Sequence, residues 1–316
     1  MGVQSVEAVI QNSMAAEAAV DWYQSRLGFV CSASDVLTGP ELAQLFQWPE
    51  STRLQRWILR LGEETLQIWG WPAGACAPYP DSWGGNDRWF QHICLVTDNL
   101  TAQVEAMAPD RLGVISTAPQ TLPQWNPAAA GIQAFKFKDP DGHPLELLQF
   151  PAGKGDPRWH QAQVLSGQPK GMDHSAISIA NTEASLAFYR DGLGFALKGQ
   201  GVNSGIEQDR MDGLQQTRVA ISAIGPSAGA MGIEFLNYQS PTGGRERQQP
   251  LWSDLCDRKL LLKSSNLRAI HQQLLADQAR NHCSALVALD PALLGAPMAF
   301  TLRDPDGHGL VVIGDL

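Results

Sequence analysis

Four short apolar runs punctuate the chain, at Val6–Ile10, Phe90–Val96, His174–Ile179 and Leu260–Lys263. Each is followed by residues whose side chains can accept from the free amides of a helix start: Asn12 or Ser13, Asp98 or Asn99, Asn181 or Thr182, and Ser265 or Asn266. Helical spacing of apolar residues then begins. In the first and third quarters it stops at Gly28 and Gly194, the residue type that closes a helix in the left-handed conformation without a Cβ penalty. Beyond the helices the pattern alternates with period two, as in Trp57–Leu61, Glu64–Trp69, Arg218–Ser222 and Gly232–Leu236, which predicts strands. The chain therefore reads as a β-α-β-β-β unit repeated four times.

A duplication underlies this pattern. Phe135–His143 (FKFKDPDGH) and Phe300–His308 (FTLRDPDGH) share six of nine residues, and Ala19–Phe29 (AVDWYQSRLGF) matches Leu186–Phe195 (LAFYRDGLGF) at nearly the same offset. Two independent matches at one spacing imply halves of ordinary domain size, residues 1–150 and 171–316. The Gly, Pro and polar stretch 151–170 is expected to be the linker. Each Asp-Pro-Asp-Gly sets a hairpin turn, Pro fixing one corner and Gly permitting positive φ at the next. His143 and His308 directly follow these glycines and are expected to close the turns by hydrogen bonds.

Composition narrows the function. With 23 Lys and Arg against 32 Asp and Glu, the formal charge of −9 and the lack of a basic stripe argue against nucleic acid. No apolar run is long enough to span a membrane and Met1–Ser13 lacks a basic-then-apolar leader, so a cytoplasmic protein without membrane attachment is predicted. The five cysteines form no CxxC pair, so any metal is expected on His and carboxylate rather than thiolate.

His92 shares a strand face with Cys94 and Val96, and His174 shares one with the small Ala176 and Ser178, so both can face a cleft. Glu146 lies between Leu145 and Leu147, where an ionised carboxylate demands a cation or an Arg beside it. A lone strand histidine is more often a hydrogen-bonded core residue, so only the combination points to a metal. Glu207 and Gln208, before a turn or strand, read as a second-layer pair or as solvated residues. The Gly- and Pro-rich segment Trp69–Trp89 carries Trp69, Trp71, Trp83 and Trp89. Its rings either line a substrate pocket or pack the halves together or seal a homodimer.

The fourfold unit, the FYRDGLGF helix end at Phe188–Phe195 and DPDGHPLELLQF at Asp139–Phe150 together resemble the vicinal oxygen chelate superfamily. That superfamily includes glyoxalase I, extradiol dioxygenases, fosfomycin-modifying enzymes and bleomycin-resistance proteins. The resemblance implies an α+β fold of two vicinal-oxygen-chelate domains, with curved mixed sheets around open clefts. It also implies a divalent ion (Zn, Ni, Co, Mn or Fe(II)) held by the first and last strands of paired modules. Mapped on this chain, the first half offers His92, Glu146, Gln67 and, on strand one, Glu7 or Ala8. Glu146 and Glu7 would be the catalytic carboxylates. The second half offers His174 and Glu234, but Lys259 and Val311 fall where further ligands would be, unless Glu207 or Asp257 substitutes. The expected function is a metal-dependent lyase or isomerase acting on a small oxygenated molecule. A metal-free sequestering protein of bleomycin-resistance type and an extradiol Fe(II) dioxygenase are the alternatives. The dioxygenase is disfavoured because no single mapped cleft holds two His and a carboxylate.

Overall fold

The computed structural model describes residues 2–315 except 73, 108–112, 162–167, 230, 247–249 and 277–281. Part of the expected linker 151–170 thus lies outside the described residues. The first module comprises β1 (Val3–Ser13), α1 (Ala16–Leu27), β2 (Val30–Leu37), α2 (Pro40–Phe46), β3 (Leu54–Leu61) and β4 (Glu64–Gly70). The second comprises β5 (Gln91–Val96), α3 (Leu100–Ala106), β6 (Gln120–Thr121), β7 (Gln133–Lys138) and β8 (Pro144–Gln149). The third runs through β9 (Gly171–Ser178), α4 (Thr182–Leu186), β10 (Ala196–Ser204), α5 (Ile206–Asp212), β11 (Arg218–Gly225) and β12 (Gly232–Ser240). The fourth contains β13 (Lys259–Ser264), α6 (Leu267–Ala276), β14 (His282–Cys283), β15 (Val287–Ala288), α7 (Pro291–Leu294), β16 (Met298–Arg303) and β17 (Gly309–Gly314).

Local signals act largely as the pattern predicts. Asn99, Asn181 and Asn266 accept from the amides of Ala102, Ala184 and Ala269 at 3.1, 3.0 and 3.2 Å. The first helix departs from expectation. Its N-cap is Ala15, with no side-chain cap: Asn12 donates to the carbonyls of Trp252 and Asp254, while Ser13 Oγ donates to Asp141 and accepts from the Ala15 amide at 3.1 Å. Gly28 ends that helix at φ 72°, where a Cβ would be strained. The third-module helix widens in its last turn, the Leu193 amide reaching the Phe188 carbonyl, before Gly194 turns at φ 80°.

Nine strands form one sheet, in the order β14-β16-β17-β13-β1-β4-β3-β2 with β15 beside β16, and eight form the other, in the order β10-β11-β12-β9-β5-β8-β7-β6. Modules one and four therefore share a sheet, as do two and three. Clefts built within each sequence half are not what forms. Each half contributes to both sheets, through the antiparallel pairs β1·β13 and β5·β9. A shared core takes in inward residues of both sheets, such as Val9, Leu66, Ile93 and Leu147, with Tyr23, Leu100, Tyr189 and Ile270 from the helical segments.

The two repeated motifs meet each other within each half. Asp139 accepts from the amides of Asp141 and His143 (3.0 and 2.8 Å) and from Tyr23 Oη (2.9 Å), and His143 Nδ1 lies 2.9 Å from its Oδ2. Asp304 repeats the arrangement with Asp306, His308 and Tyr189 Oη, at 3.0, 2.9 and 3.1 Å. The tyrosine of each LGF helix is thereby tied to the first aspartate of each DPDGH turn. Arg258 fastens the sheets to one another, donating to the carbonyls of Gln91 and Pro144 and, at 3.0 Å, to Gln11 Oε1.

Burial by itself would raise the Asp139 pKa, but His143 and Arg258 beside it hold the carboxyl below the usual range. A depressed acid contributes stability that is complete above its unfolded pKa, roughly 4, and is lost as pH falls through the folded value. Asp139→Ala is expected to cost about 3 kcal/mol or more at pH 7, with the gap to the parent narrowing below about pH 4. Urea unfolding across that pH range measures this, and a gap independent of pH would contradict it.

Candidate metal centre

Four adjacent strands, in the order β12-β9-β5-β8, each present one polar side chain to the same face. The register forms a cross: Cys94 stands opposite both His174 and Glu146, and Ala176 opposite both His92 and Glu234. The small residues at these crossing points leave room for four larger side chains to converge above them. His92 Nε2 lies 3.1 Å from Glu146 Oε2, while His174 Nε2 lies 3.9 Å from Glu146 Oε2 and 3.4 Å from Glu234 Oε2. One atom each of His92, Glu146 and His174 falls within 4.8 Å of the others, the only such group among the described residues.

All three are buried, with 1, 5 and 5% exposure. Yet His92 Nδ1 and Nε2 and His174 Nε2 have no hydrogen-bond partner of acceptable geometry among the described residues. Buried imidazole nitrogens without partners are costly, and a cation between them would relieve that cost. His174 is oriented from behind, its Nδ1 lying 2.9 Å from Asp173 Oδ2, and Asp173 in turn accepts from Trp159 Nε1. A carboxylate on the far nitrogen orients the ring and, when the ring is neutral, places the lone pair on Nε2, as in carboxylate–histidine–metal triads. These residues fit a divalent ion.

Burial lowers the His92 pKa to about 4, so its ring is neutral. At His174 burial is overcome by the carboxylates of Glu234 and Asp173, which raise the pKa to about 9. Burial would raise Glu146 too, but His92 and Lys136 hold it at about 2. Burial raises Glu234 despite His174. The cluster thus sets an ionised Glu146 beside a neutral His92, with the pKa values of His174 and Glu234 both raised.

The cluster opens into a cavity of ≈ 250 Å³, its walls including Leu122, Ile132, Leu148, Phe150, Met211 and Ile221. That is slightly below the roughly 300–1,000 Å³ of typical ligand pockets. Lys136, on the strand next to Glu146, faces it and pairs with Asp212 at 2.7 Å. The site lies within the second sheet, so it brings together candidates from both sequence halves: His92 and Glu146 with His174 and Glu234.

Other expected residues lie elsewhere. Gln67 and Glu7 belong to the first sheet. Glu7 is exposed and bonds Ser5, while Gln67 accepts from Trp69 Nε1. In that sheet the positions matching His174, Glu234, His92 and Glu146 hold Ala8, Gln67, Lys259 and Val311. Lys259 Nζ is fully buried against Asp257 at 3.1 Å, and Asp257 is also paired with Arg303 and belongs to no metal-ligating group among the described residues. A second apolar core fills this cleft, with Leu42, Leu45 and Phe46 of α2 and Leu294 of α7 against Ile10, Trp69 and Val311.

Trp69, Trp71, Trp83 and Trp89 do not line the cavity. Trp69 is in the filled cleft, Trp71 packs at its edge and donates to Asn12, Trp83 stacks near Tyr79 and Lys138, and Trp89 lies under Arg245. Trp71, Trp83 and Trp89 each border a different cavity, away from the metal cluster. Sequence reasoning missed Asp173 and Lys136, both on strands. Only the strand pairing brings Lys136 beside Glu146, through the Lys136↔Glu146 register.

Comparison with solved structures gives full-length matches. Glyoxalase I from Zea mays superposes with TM-score 0.65 at 12% identity, covering 98% of this chain and 92% of that one. A candidate dioxygenase from Bacillus subtilis matches with TM-score 0.59 at 11% identity over 99 and 86% of the two chains. No protein-family model matches the sequence, and no curated protein does. Among the described residues no helix is long and apolar enough to cross a membrane.

Lys136→Met leaves buried Asp212 without its counter-charge and is expected to cost about 3–5 kcal/mol. Adding Asp212→Asn should recover a large part of that loss. Denaturant unfolding of the single and double variants measures both, and simple additivity of the two losses would contradict the coupling.

Proposed function

We propose that this chain, which has the α+β fold of two-domain glyoxalase I, is a divalent-metal-dependent enzyme of the vicinal oxygen chelate type. It would act on a small oxygenated organic molecule by lyase or isomerase chemistry. The observation that carries this reading is the convergence of two imidazoles and two carboxylates at the base of an otherwise largely apolar cavity. His92, Glu146 and His174 would hold the ion, with Glu234 beside them. When bound, a divalent ion supplies Lewis acidity, polarising oxygens of a substrate that fill its open positions.

The chain's own groups have distinct tasks. Glu146, between the two rings, is the ionised partner of both. Glu234 is more exposed to the cavity, about a quarter accessible, and burial holds its pKa up. A carboxyl so placed is suited to take a proton from a substrate carbon at Oε2 and return it. The apolar walls keep water from competing for that proton. Lys136 places a positive charge on the same cavity, favouring negative charge that develops on substrate oxygen.

One observation favours a second reading. His92, His174 and Glu146 form a set of two His and one carboxylate, the donor set of non-haem Fe(II) oxygenases. The objection that no cleft assembles this set disappears once modules two and three share a sheet.

The parent protein, reconstituted with metal, is expected to retain about one equivalent by elemental analysis, and His92→Ala/Glu146→Ala and His174→Ala/Glu234→Ala are each expected to lose it. Glu7→Ala/Gln67→Ala should keep it. A parent without stoichiometric metal would leave the metal-free binding protein as the better reading. Oxygen uptake on addition of a catechol to the Fe(II) form would favour the dioxygenase over the lyase or isomerase.

A further inference from the structure

His174 faces the cavity, yet Met172, two residues before it, points into the shared core with Ile177 and Ile179. In an unbroken strand residues two apart share a face. The register accounts for the difference: β9 pairs Met172 with Leu95 and His174 with Cys94, neighbours on β5, so Asp173 is one residue too many. Such a β-bulge bends its strand and re-aims the side chains. Here it brings Asp173 and His174, adjacent in sequence, to border the same cavity, with Asp173 Oδ2 2.9 Å from His174 Nδ1.

The bulge is gripped from outside the second sheet. Asp173 Oδ1 accepts from the indole of Trp159, which is 5% exposed and belongs to the helical turn Pro157–His160 in the segment between the sequence halves. Arg158 lies over that indole, its Cζ 3.8 Å from the ring centroid, and donates at 2.6 Å to Glu64 Oε1 at the start of β4. Glu64 Oε2 in turn accepts from the Met172 amide at 2.9 Å, immediately before the bulge. The duplicated fold supplies an internal comparison. In the first sheet β1 carries the matching bulge, Val6 pairing with Leu262 and Ala8 with Leu261, so Glu7 is its extra residue. With Ala8 where His174 stands, Glu7 has no ring to orient and bonds Ser5. The bulge belongs to the fold, and the chain of Trp159, Asp173 and His174 is what the second sheet adds.

We infer that Trp159 and the bulge at Asp173 are a positioning device that fixes the His174 ring with Nε2 toward Glu146 and Glu234, so the segment joining the sequence halves sets part of the affinity of the metal centre. Which nitrogen of a neutral imidazole is free to bind follows from the hydrogen bond that the other makes. Trp159 occupies Oδ1, which keeps Oδ2 on the Nδ1 proton and the lone pair on Nε2. This inference rests on reading the cluster as a metal site, and it names residues that tune the site without being ligands.

The test is Co(II) affinity, measured by competition with a chromophoric chelator. Asp173→Asn is expected to weaken binding about 10–100-fold, because Trp159 holds the amide oxygen and so turns the amide NH2 toward Nδ1, which moves the ring proton to Nε2. Trp159→Phe alone should cost about tenfold or less. Adding Trp159→Phe to Asp173→Asn frees the amide to turn over, and should restore affinity at least about threefold relative to Asp173→Asn. Two independent structural losses would add instead. Glu7→Gln, at the matching bulge of the first sheet, should leave the affinity unchanged. A parent that holds Co(II) while the two losses add, or while neither variant loses affinity, overturns this inference and leaves the metal reading standing. A parent that holds no Co(II) defeats both.

Discussion

A first strand with an unpaired edge is open to any partner, and the site depends on the partner that β5 takes. By pairing antiparallel with β9, it sets His92 two residues from one crossing point and His174 two residues from the other, with ring centroids 5.8 Å apart. The parallel neighbours β8 and β12 then deliver Glu146 and Glu234 from the outside. None of the four residues is special alone. Their chemistry comes from a ladder that places two imidazoles and two carboxylates on one sheet face, away from water.

The same scaffold is used twice with opposite contents. In the first sheet, Ala8 and Val311 replace two of the polar residues, and α2 and α7 close the cleft with apolar side chains. Lys259 occupies the position matching His92, an internal ammonium compensated by Asp257. In the second sheet the cleft remains a cavity and its charges are left facing one another. The filled cleft and the open one therefore divide between sheets rather than between the sequence repeats. The Tyr23–Asp139 and Tyr189–Asp304 bonds connect the two, since each joins a helix of one module to a turn of the next.

Much of this architecture was legible because it is local. Alternation marked the strands, Asn99 and Asn181 marked helix starts, and the DPDGH repeats marked hairpins whose histidines do close the turns. His92, Glu146, His174 and Glu234 could each be singled out from strand position and the family resemblance. What the pattern could not supply was which modules pair, since every module ends in similar apolar strands and the choice is made by long-range packing. From that one ambiguity followed the placement of Gln67 and Glu7 with His92, and the argument against a two-His, one-carboxylate set. The place of the tryptophans was illegible for a different reason: aromatic rings serve ligand pockets and packing equally well, and only the tertiary structure sets them away from the His–Glu cluster. Asp212 was hidden because a seven-residue helix leaves little periodicity.

The central claim is that residues from both sequence halves converge on one metal ion. Anomalous diffraction from crystals of the Mn(II)- or Zn(II)-loaded protein tests it directly. The account predicts one strong peak among His92, Glu146, His174 and Glu234, with nitrogen and oxygen ligands at about 2.0–2.2 Å. A peak in the first sheet near Gln67, or no ordered peak between the two histidines, would contradict it.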